Sequence, residues 1–475
     1  MQKKRLYING KWIDSQHHSL LLSPYTREEI AEVPRATVEE VEFAIKAAYE
    51  TRNKMADMPK HQRAKILEQL ACKLEQRSEE AARIIALEAS KPIKDARIEV
   101  ARTIQTYKFS SEEAKRINGE TISMDAAPGG EGKIAFTTRE PLGVIGAITP
   151  FNFPMNLVAH KVGPALASGN TIVLKPASQT PLSAYFLAEL LHDTDLPAGA
   201  FNVVSGSGAV IGDKLVQDER VKKISFTGSP EVGIGIRNKA RLKHVTLELG
   251  SNSALIVDGN VDVDKIIDRC VTGAFSFQGQ VCISLQRIYV HGNVYDLFVE
   301  RFIKAAKSLR VGDPLDPNTN VSALIHPNEV SRTLDWIKEA EQRGAVLAAG
   351  GTRQGNILMP TVLLEVDPSA KVSCQEVFAP VVLINKVSSI EEAIDCVNDS
   401  DYGLQAGIYT ENIHHAMLAS KKLQVGGVLI NDIPTYRVDH MPYGGVKDSG
   451  VGREGIKYAI QEMTEQKLII INSMV

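Results

Sequence analysis

The sequence predicts an α/β protein built on two doubly wound, largely parallel sheets, and three observations carry that expectation. From Val144 onward, apolar runs of four or five residues alternate with amphipathic stretches, the signature of repeated β-α-β units. The alternation ends near Glu248 and restarts at Ala254, so two such units follow one another. At 475 residues the chain is too long for one simple core; a soft prior of about 150 residues per domain gives two or three domains.

Before Val144 the chain reads as helix-rich. Residues 37–51 and 60–89 place apolar side chains at three- and four-residue spacing (Ile66, Leu67, Leu70 and Leu74), which predicts amphipathic helices. A third helix over 93–116 stops near Asn118-Gly119. Residues 121–140 hold Pro128-Gly129-Gly130 between strand-like runs and read as an exposed hairpin.

The first parallel unit is expected to have strands at 144–148, 171–174, 201–204, 223–226 and 245–247. Its helices fall near 157–168, 181–192, 209–217 and 230–240. The second has strands at 254–257, 287–290, 345–347, 381–384 and 428–430, with helices near 262–274, 294–309, 329–343, 389–398 and 412–422. Sheets of this kind bind ligands at the carboxyl ends of their strands. The tail carries the β-like run Leu468-Ile469-Ile470-Ile471, an exposed edge unless another strand covers it.

Composition narrows the classes of partner. A formal net charge of −3 gives no global reason to expect nucleic acid or an anionic membrane. The basic start Lys3-Lys4-Arg5 precedes no long apolar run, and no stretch approaches about 18 apolar residues, so a cytoplasmic protein is expected. The five cysteines are odd in number and include no C-x-x-C pair, which disfavours a disulfide framework and a structural zinc site; no metal is expected.

Several short motifs carry chemistry. Gly279-Gln280-Val281-Cys282 puts a thiol on a small-residue turn, where a cysteine faces a cleft or is simply structural. Glu248 ends an apolar strand before Leu249-Gly250 and reads either as a solvated cap or as a general base raised by desolvation. Asn152, within Pro150-Phe151-Asn152-Phe153-Pro154, is a turn former or an oxyanion donor. Lys175 ends the strand before Pro176-Ala177-Ser178 and can bind ribose or phosphate, or be solvated. The glycine-rich stretch from Gly206 through Gly208 to Gly212 misses the G-x-G-x-x-G spacing by one residue. Gly228 and Ser229 turn a strand end into a helix N-terminus suited to a pyrophosphate.

Together the motifs P-F-N-F-P, L-K-P-A, F-T-G-S, E-L-G, G-Q-V-C and E-V-F-A-P resemble the aldehyde dehydrogenase superfamily, in that family's order and over nearly the whole chain. The resemblance implies a Rossmann-type NAD(P)-binding domain (1–120 and 141–250), an α/β catalytic domain (251–450) and a small β oligomerisation element (121–140 and 451–475) of a homodimer or homotetramer. It implies that Cys282 attacks the aldehyde, that the Asn152 amide and the Cys282 N–H hold the oxyanion, and that Glu248 activates the water that hydrolyses the thioester. It places Lys175 and Glu376 on ribose hydroxyls, Phe378 near the nicotinamide ribose, and Ser178, Gly208, Gly228 and Ser229 beside the cofactor. The family's usual E-L-G-G is broken here by Ser251. NAD-preferring relatives often carry a glutamate where Ser178 stands; a serine does not repel a 2′-phosphate, so NAD and NADP both remain open.

The same resemblance puts Arg102, His160 and Arg437 on the substrate tunnel, implying an anionic tail on the aldehyde unless each cation pairs with a local acid. The segment from Arg437 to Lys447 resembles the lactaldehyde dehydrogenase branch, so the expected substrate is a short hydroxylated or anionic aldehyde of the sulfolactaldehyde, lactaldehyde or succinate semialdehyde type. The rivals are a CoA-acylating dehydrogenase, which Glu248 argues against, and a catalytically silent binding protein on the same fold.

Overall fold

A computed structural model describes residues 2–472. The fold is mixed α/β and holds two large sheets. The first has eight strands in the order Gly450–Val451, His244–Glu248, Val221–Thr227, Val144–Ile148, Thr171–Lys175, Phe201–Val203, Leu6–Ile8, Lys11–Ile13. Its five central strands are mutually parallel. The second has seven, in the order Val346–Ala349, Thr361–Leu364, Val381–Val387, Arg287–His291, Ala254–Val257, Gln405–Tyr409, Gly427–Ile430, all parallel except the first.

Both sheets are covered on both faces, which is why their strands read as unbroken apolar runs. In Val144–Ile148, Ile145 and Ala147 join a core with helices Lys60–Gln76, Ile93–Ala114 and Asn156–Ala167. Val144 and Ile148 join the opposite core, under helix Val38–Ala56. The same alternation splits Leu255 and Val257 from Ala254 and Ile256 in the second sheet.

The first third is helix-rich as expected, and five short strands that precede Thr37 are too brief to show a periodicity. Two helix expectations need correction. The stretch 60–89 is two helices, Lys60–Gln76 and Ser78–Ala89, broken where Arg77 leaves helical geometry at φ −112°, ψ 26°. The expected helix over 209–217 begins as a π turn, Gly208–Gly212, before Asp213–Gln217.

The terminal strand Thr464–Asn472 is not unpaired. It runs antiparallel to Lys133–Pro141 over nine registered pairs, with Thr121–Ile122 on the far side. Helix Ile456–Glu462, which precedes it, packs into the first core through Ile456 and Ile460. Among the described residues, no helix is long and apolar enough to cross a membrane.

One turn fixes the thiol loop. After helix Val263–Phe275 the backbone takes positive φ at Phe277, Gln278 and Gly279, and a Cβ on Gly279 would sit 2.2 Å from the Ala379 carbonyl oxygen. Gly279→Ala is therefore expected to destabilise the protein by roughly 1–3 kcal/mol, the order of such backbone strain. Urea unfolding checks this; an unchanged midpoint would show that the turn relaxes freely.

Candidate active site

The carboxyl ends of the parallel strands in the eight-stranded sheet gather the candidate residues along one edge. Strand Val144–Ile148 leads to Asn152, Thr171–Lys175 ends in Lys175, Phe201–Val203 leads to Gly208, Val221–Thr227 leads to Gly228 and Ser229, and His244–Glu248 ends in Glu248. The Gly228 N–H donates to the Glu248 carbonyl at 3.0 Å, tying two of these ends together. Cys282 comes from the other sheet's unit and meets this edge from across a seam.

A buried ion pair holds the seam. Lys91 and Glu99 pair with side chains 1% and 0% exposed. Lys91 also donates to the Asn152 carbonyl at 2.6 Å and lies over the rings of Phe153 and Phe277 at 3.8 and 4.2 Å. Glu99 accepts from the N–H groups of Met155 and Asn156 at 2.9 and 3.1 Å. Asn152 in turn donates its side-chain amide to the Gln280 carbonyl at 3.1 Å, so its loop and the Cys282 loop are joined directly.

Cys282 is half-buried on a cavity of about 270 Å³ lined also by Lys91, Arg102, Phe153, Val281, Arg437 and Tyr443. Its Sγ lies 2.8 Å from the Tyr443 hydroxyl. Burial pushes the thiol up to about 11, against the Tyr443 hydrogen bond and the Arg437 charge. Glu248 is buried, and neither of its carboxyl oxygens has a hydrogen-bond partner. Burial, then the charge of Glu454, raises it well above the usual carboxylate range. A Cβ on Gly444 would stand 3.0 Å from its Oε1, so only a glycine leaves that oxygen room.

The other candidates fall into two groups. Lys175 is buried, donates to the Pro176 carbonyl at 3.0 Å, and is lowered by burial to about 8. Ser178 donates to the Gly206 carbonyl at 3.0 Å, and Gly208 lies against the Lys175 side chain. Ser229 is the residue before helix Pro230–Lys239 and makes no side-chain capping hydrogen bond to it. Glu376 accepts from the Ser251 N–H at 2.9 Å and is raised by burial to about 8; Phe378 stands edge-on to Phe151 at 5.7 Å. The Ser251 hydroxyl is turned to that of Ser253 at 3.0 Å.

Arg102, His160 and Arg437 do come together, around two acids that the sequence reading did not single out. Arg102 meets Asp439 through two hydrogen bonds, at 3.1 and 2.7 Å. Arg437 pairs with Glu454 at 3.1 Å and lies 3.6 Å over the Tyr443 ring. His160 is buried and does not line the cavity: Nε2 is 2.9 Å from Asp439 and 3.2 Å from Arg437. One nitrogen cannot serve both, and the shorter contact to a carboxylate assigns Nε2–H as the donor. Nδ1 is then buried without a partner. Burial and Arg437 accordingly depress the imidazole's basicity.

Glu454 also takes Lys161 at 3.1 Å, so despite its burial the two cations hold it down to about 2. Lys161 had a readable signal, a lysine inside the wholly buried helix Asn156–Ala167; Glu454 and Tyr443 had none.

A parallel sheet with a polar carboxyl edge, facing a cleft thiol and an unpartnered carboxyl, defines a class of enzyme that joins covalent cysteine chemistry to dinucleotide binding. The aldehyde dehydrogenase family model matches residues 12–469, and the chain belongs to that family. It is an NAD(P)-dependent aldehyde dehydrogenase. A 3-sulfolactaldehyde dehydrogenase of Priestia aryabhattai is 47% identical over 98% of each chain. Aldehyde dehydrogenase 21 from Physcomitrella patens, solved with the reaction product succinate, superposes with a TM-score of 0.97 at 41% identity, over 100% of this chain and 99% of that one. An NADP-dependent glyceraldehyde-3-phosphate dehydrogenase from Bacillus halodurans, solved with NADP, gives 0.97 at 38% identity over 99% and 100%.

The Lys91–Glu99 pair yields a prediction. Lys91→Met leaves Glu99 as an unpaired buried carboxylate, a loss of about 3–5 kcal/mol. Guanidinium unfolding measures it; a loss below about 1 kcal/mol would mean that the Met155 and Asn156 N–H groups hold Glu99 without the lysine.

Proposed function

We propose that this enzyme oxidises a short aldehyde with an anionic tail to its carboxylic acid, through a thioester on Cys282. The observation that carries the anionic tail is the cavity wall. Lys91, Arg102, Arg269 and Arg437 line it against two acids, Asp95 and Glu99, while Asp439 and Glu454 stand outside the lining. Arg437 has its Nε buried and unpartnered. The similar proteins named above act on, or were solved with, a sulfonate, a carboxylate or a phosphate. The Arg102–Asp439 pairing favours a second reading, a neutral hydroxyaldehyde such as lactaldehyde, because it already satisfies that cation.

In this reading Cys282 adds to the carbonyl, and the Asn152 amide and the Cys282 N–H hold the oxyanion, a donor of that kind contributing roughly 2.7–4 kcal/mol. A bound nicotinamide would supply the hydride acceptor. Lys175 and Glu376 would hold ribose hydroxyls, Ser178 and Gly208 would flank the adenosine side, Gly228 would lie beside the cofactor and Ser229 near its phosphates, and Phe378 would pack beside the nicotinamide end. Lys175, Ser178, Gly208, Gly228 and Ser229 fit a dinucleotide because they share the carboxyl edge of one parallel sheet, and Glu376 and Phe378 approach it from the other unit, against Ser251 and Phe151. Either NAD or NADP suits Ser178. Glu248, with no hydrogen bond to give up, takes the proton of the hydrolytic water, which favours water over CoA as the thioester's acceptor.

The eight-stranded sheet's unit is the cofactor domain and the seven-stranded sheet's unit the catalytic domain. The three-stranded sheet is the oligomerisation element of a homodimer or homotetramer. Leu468, Ile470 and Ile471 lie exposed on its terminal strand, and Ile430 on the edge strand Gly427–Ile430. A partner copy covers both. A cytoplasmic location accords with the composition.

Two outcomes test the mechanism and the substrate. Glu248→Gln is expected to keep a first-turnover burst of NAD(P)H while steady-state turnover falls about 10²–10⁴-fold. Wild-type deacylation should rise with pH through a midpoint well above the ordinary carboxylate range, because the base works only once ionised. Initial rates with sulfolactaldehyde, succinate semialdehyde and lactaldehyde should favour the anions in kcat/KM, and Arg102→Ala should cut that advantage about 10–100-fold, the worth of one charged hydrogen bond. Equal rates for lactaldehyde, unaltered by Arg102→Ala, would make the enzyme a neutral short-chain dehydrogenase.

A further inference from the structure

We propose that Tyr443 is a catalytic residue: its hydroxyl donates a hydrogen bond to the Cys282 thiolate, and Arg437 stacked on its ring strengthens that donor. The proposal rests on the reading of Cys282 as nucleophile.

The geometry is close and enclosed. The hydroxyl is 2.8 Å from Sγ, Tyr443 is 3% exposed, and the Arg437 guanidinium carbon is 3.6 Å from the ring centroid. The backbone of Tyr443 is pinned from both sides, its N–H donating to the Glu454 carbonyl at 3.1 Å and its carbonyl accepting from the Glu454 N–H at 2.7 Å. Swinging the ring away would break the Arg437 stack and the contact to Sγ.

The donor direction follows from chemistry. A thiol is a weak donor and a weak acceptor, whereas a thiolate is a charged acceptor, so this hydrogen bond strengthens when Cys282 ionises. A cation over the ring face favours electron density drawn from the phenol, which makes its O–H more acidic without removing the proton. Burial keeps Tyr443 protonated, its own ionisation lying well above the ordinary range. The other charges acting on the thiol are Glu376 and Glu248, which oppose ionisation, and Arg437, which favours it. Lys91, Asp95, Glu99, Arg102 and Arg269 line the same cavity. Among the described residues, only Tyr443 makes a hydrogen bond to Sγ.

The step balances. The thiol proton leaves to solvent water, the thiolate accepts the Tyr443 O–H, and attack forms the S–C bond while the carbonyl π pair moves onto oxygen. Tyr443 keeps its proton throughout.

The test is the pH dependence of iodoacetamide labelling, in which the S–C bond forms, C–I breaks and iodide leaves. Rates at Cys282 are resolved by peptide mass mapping in wild type and Tyr443→Phe, which keeps the ring, its volume and the Arg437 stack. The exposed Cys72 is the reference for folding and reagent. The rising limb for Cys282 should move up by about one pH unit in Tyr443→Phe, an approximately tenfold slower labelling at each pH on that limb, with Cys72 unchanged. Superimposed limbs would overturn the proposal. So would faster labelling, which would mean that Tyr443 accepts from the thiol and restrains it. Cys282→Ser separates the two readings: retained aldehyde oxidation there would remove the nucleophile assignment itself, whatever Tyr443→Phe does.

Discussion

The site depends on how two cations are shared between two buried carboxyls. Glu454 receives both Lys161 and Arg437, and Glu248 receives no hydrogen bond at all. A carboxylate in low dielectric survives only with partners, so the first stays ionised and the second is driven toward the neutral acid. Each also acts on the other, since the negative charge on Glu454 is the second cause of the rise at Glu248. Two carboxyls whose surroundings push them apart in this way are a general means of setting an acid and a base side by side.

Arg437 is the joint of this arrangement. Its guanidinium meets Glu454, touches His160 and covers the ring of Tyr443, and so connects the carboxyl pair to the thiol. A planar fork can serve an acid in its plane and a ring against its face at once, which a lysine cannot. Burial alone would weaken the cation, but Glu454 and the other acids around it keep it charged. Arg102 is anchored differently, by a two-point pairing with Asp439 that leaves its side chain 25% exposed at the cavity. At Arg102 and Arg437 the wall thus presents positive charge whose partner acids, Asp439 and Glu454, stand outside the lining.

The large elements were legible because each strand is buried on both faces and each covering helix repeats at helical spacing. Strand Ala254–Val257 falls at its expected residues, and most helices lie within two or three residues of expectation. The strands before Thr37 were not legible, since three-residue runs such as Leu6–Ile8 and Lys11–Ile13 have no period to read. At the site, the motif glycines, Asn152, Glu248 and Cys282 stood out because turns and strand ends mark themselves locally. Asp439, Tyr443 and Glu454 did not. Arg437 lies 17 positions from Glu454, Cys282 lies 161 from Tyr443 and Arg102 lies 337 from Asp439, and no local pattern encodes such pairings. Of the three cations expected on the tunnel, Arg102 and Arg437 line the cavity and His160 does not, and the acids they gather around became visible only in three dimensions.

The site is built to avoid charge where chemistry will create it. Burial pushes the Cys282 thiol up to about 11 and raises Glu248 well above its ordinary range, so both groups of the proposed mechanism are biased toward their neutral forms. That spares the fold two unpaired anions in a dry seam, each of which would cost several kcal/mol. The oxygens of Glu248 need break no hydrogen bond before meeting water, and Sγ already lies within reach of a hydroxyl that can receive its charge. The fixed charges are placed in advance: Arg437 over the ring beside the thiol, Lys161 and Arg437 beside the carboxyl pair. Prearranged in this way, they need little reorientation when negative charge appears on sulfur or on the carbonyl oxygen, and that absence of reorganisation is the advantage a folded site holds over water.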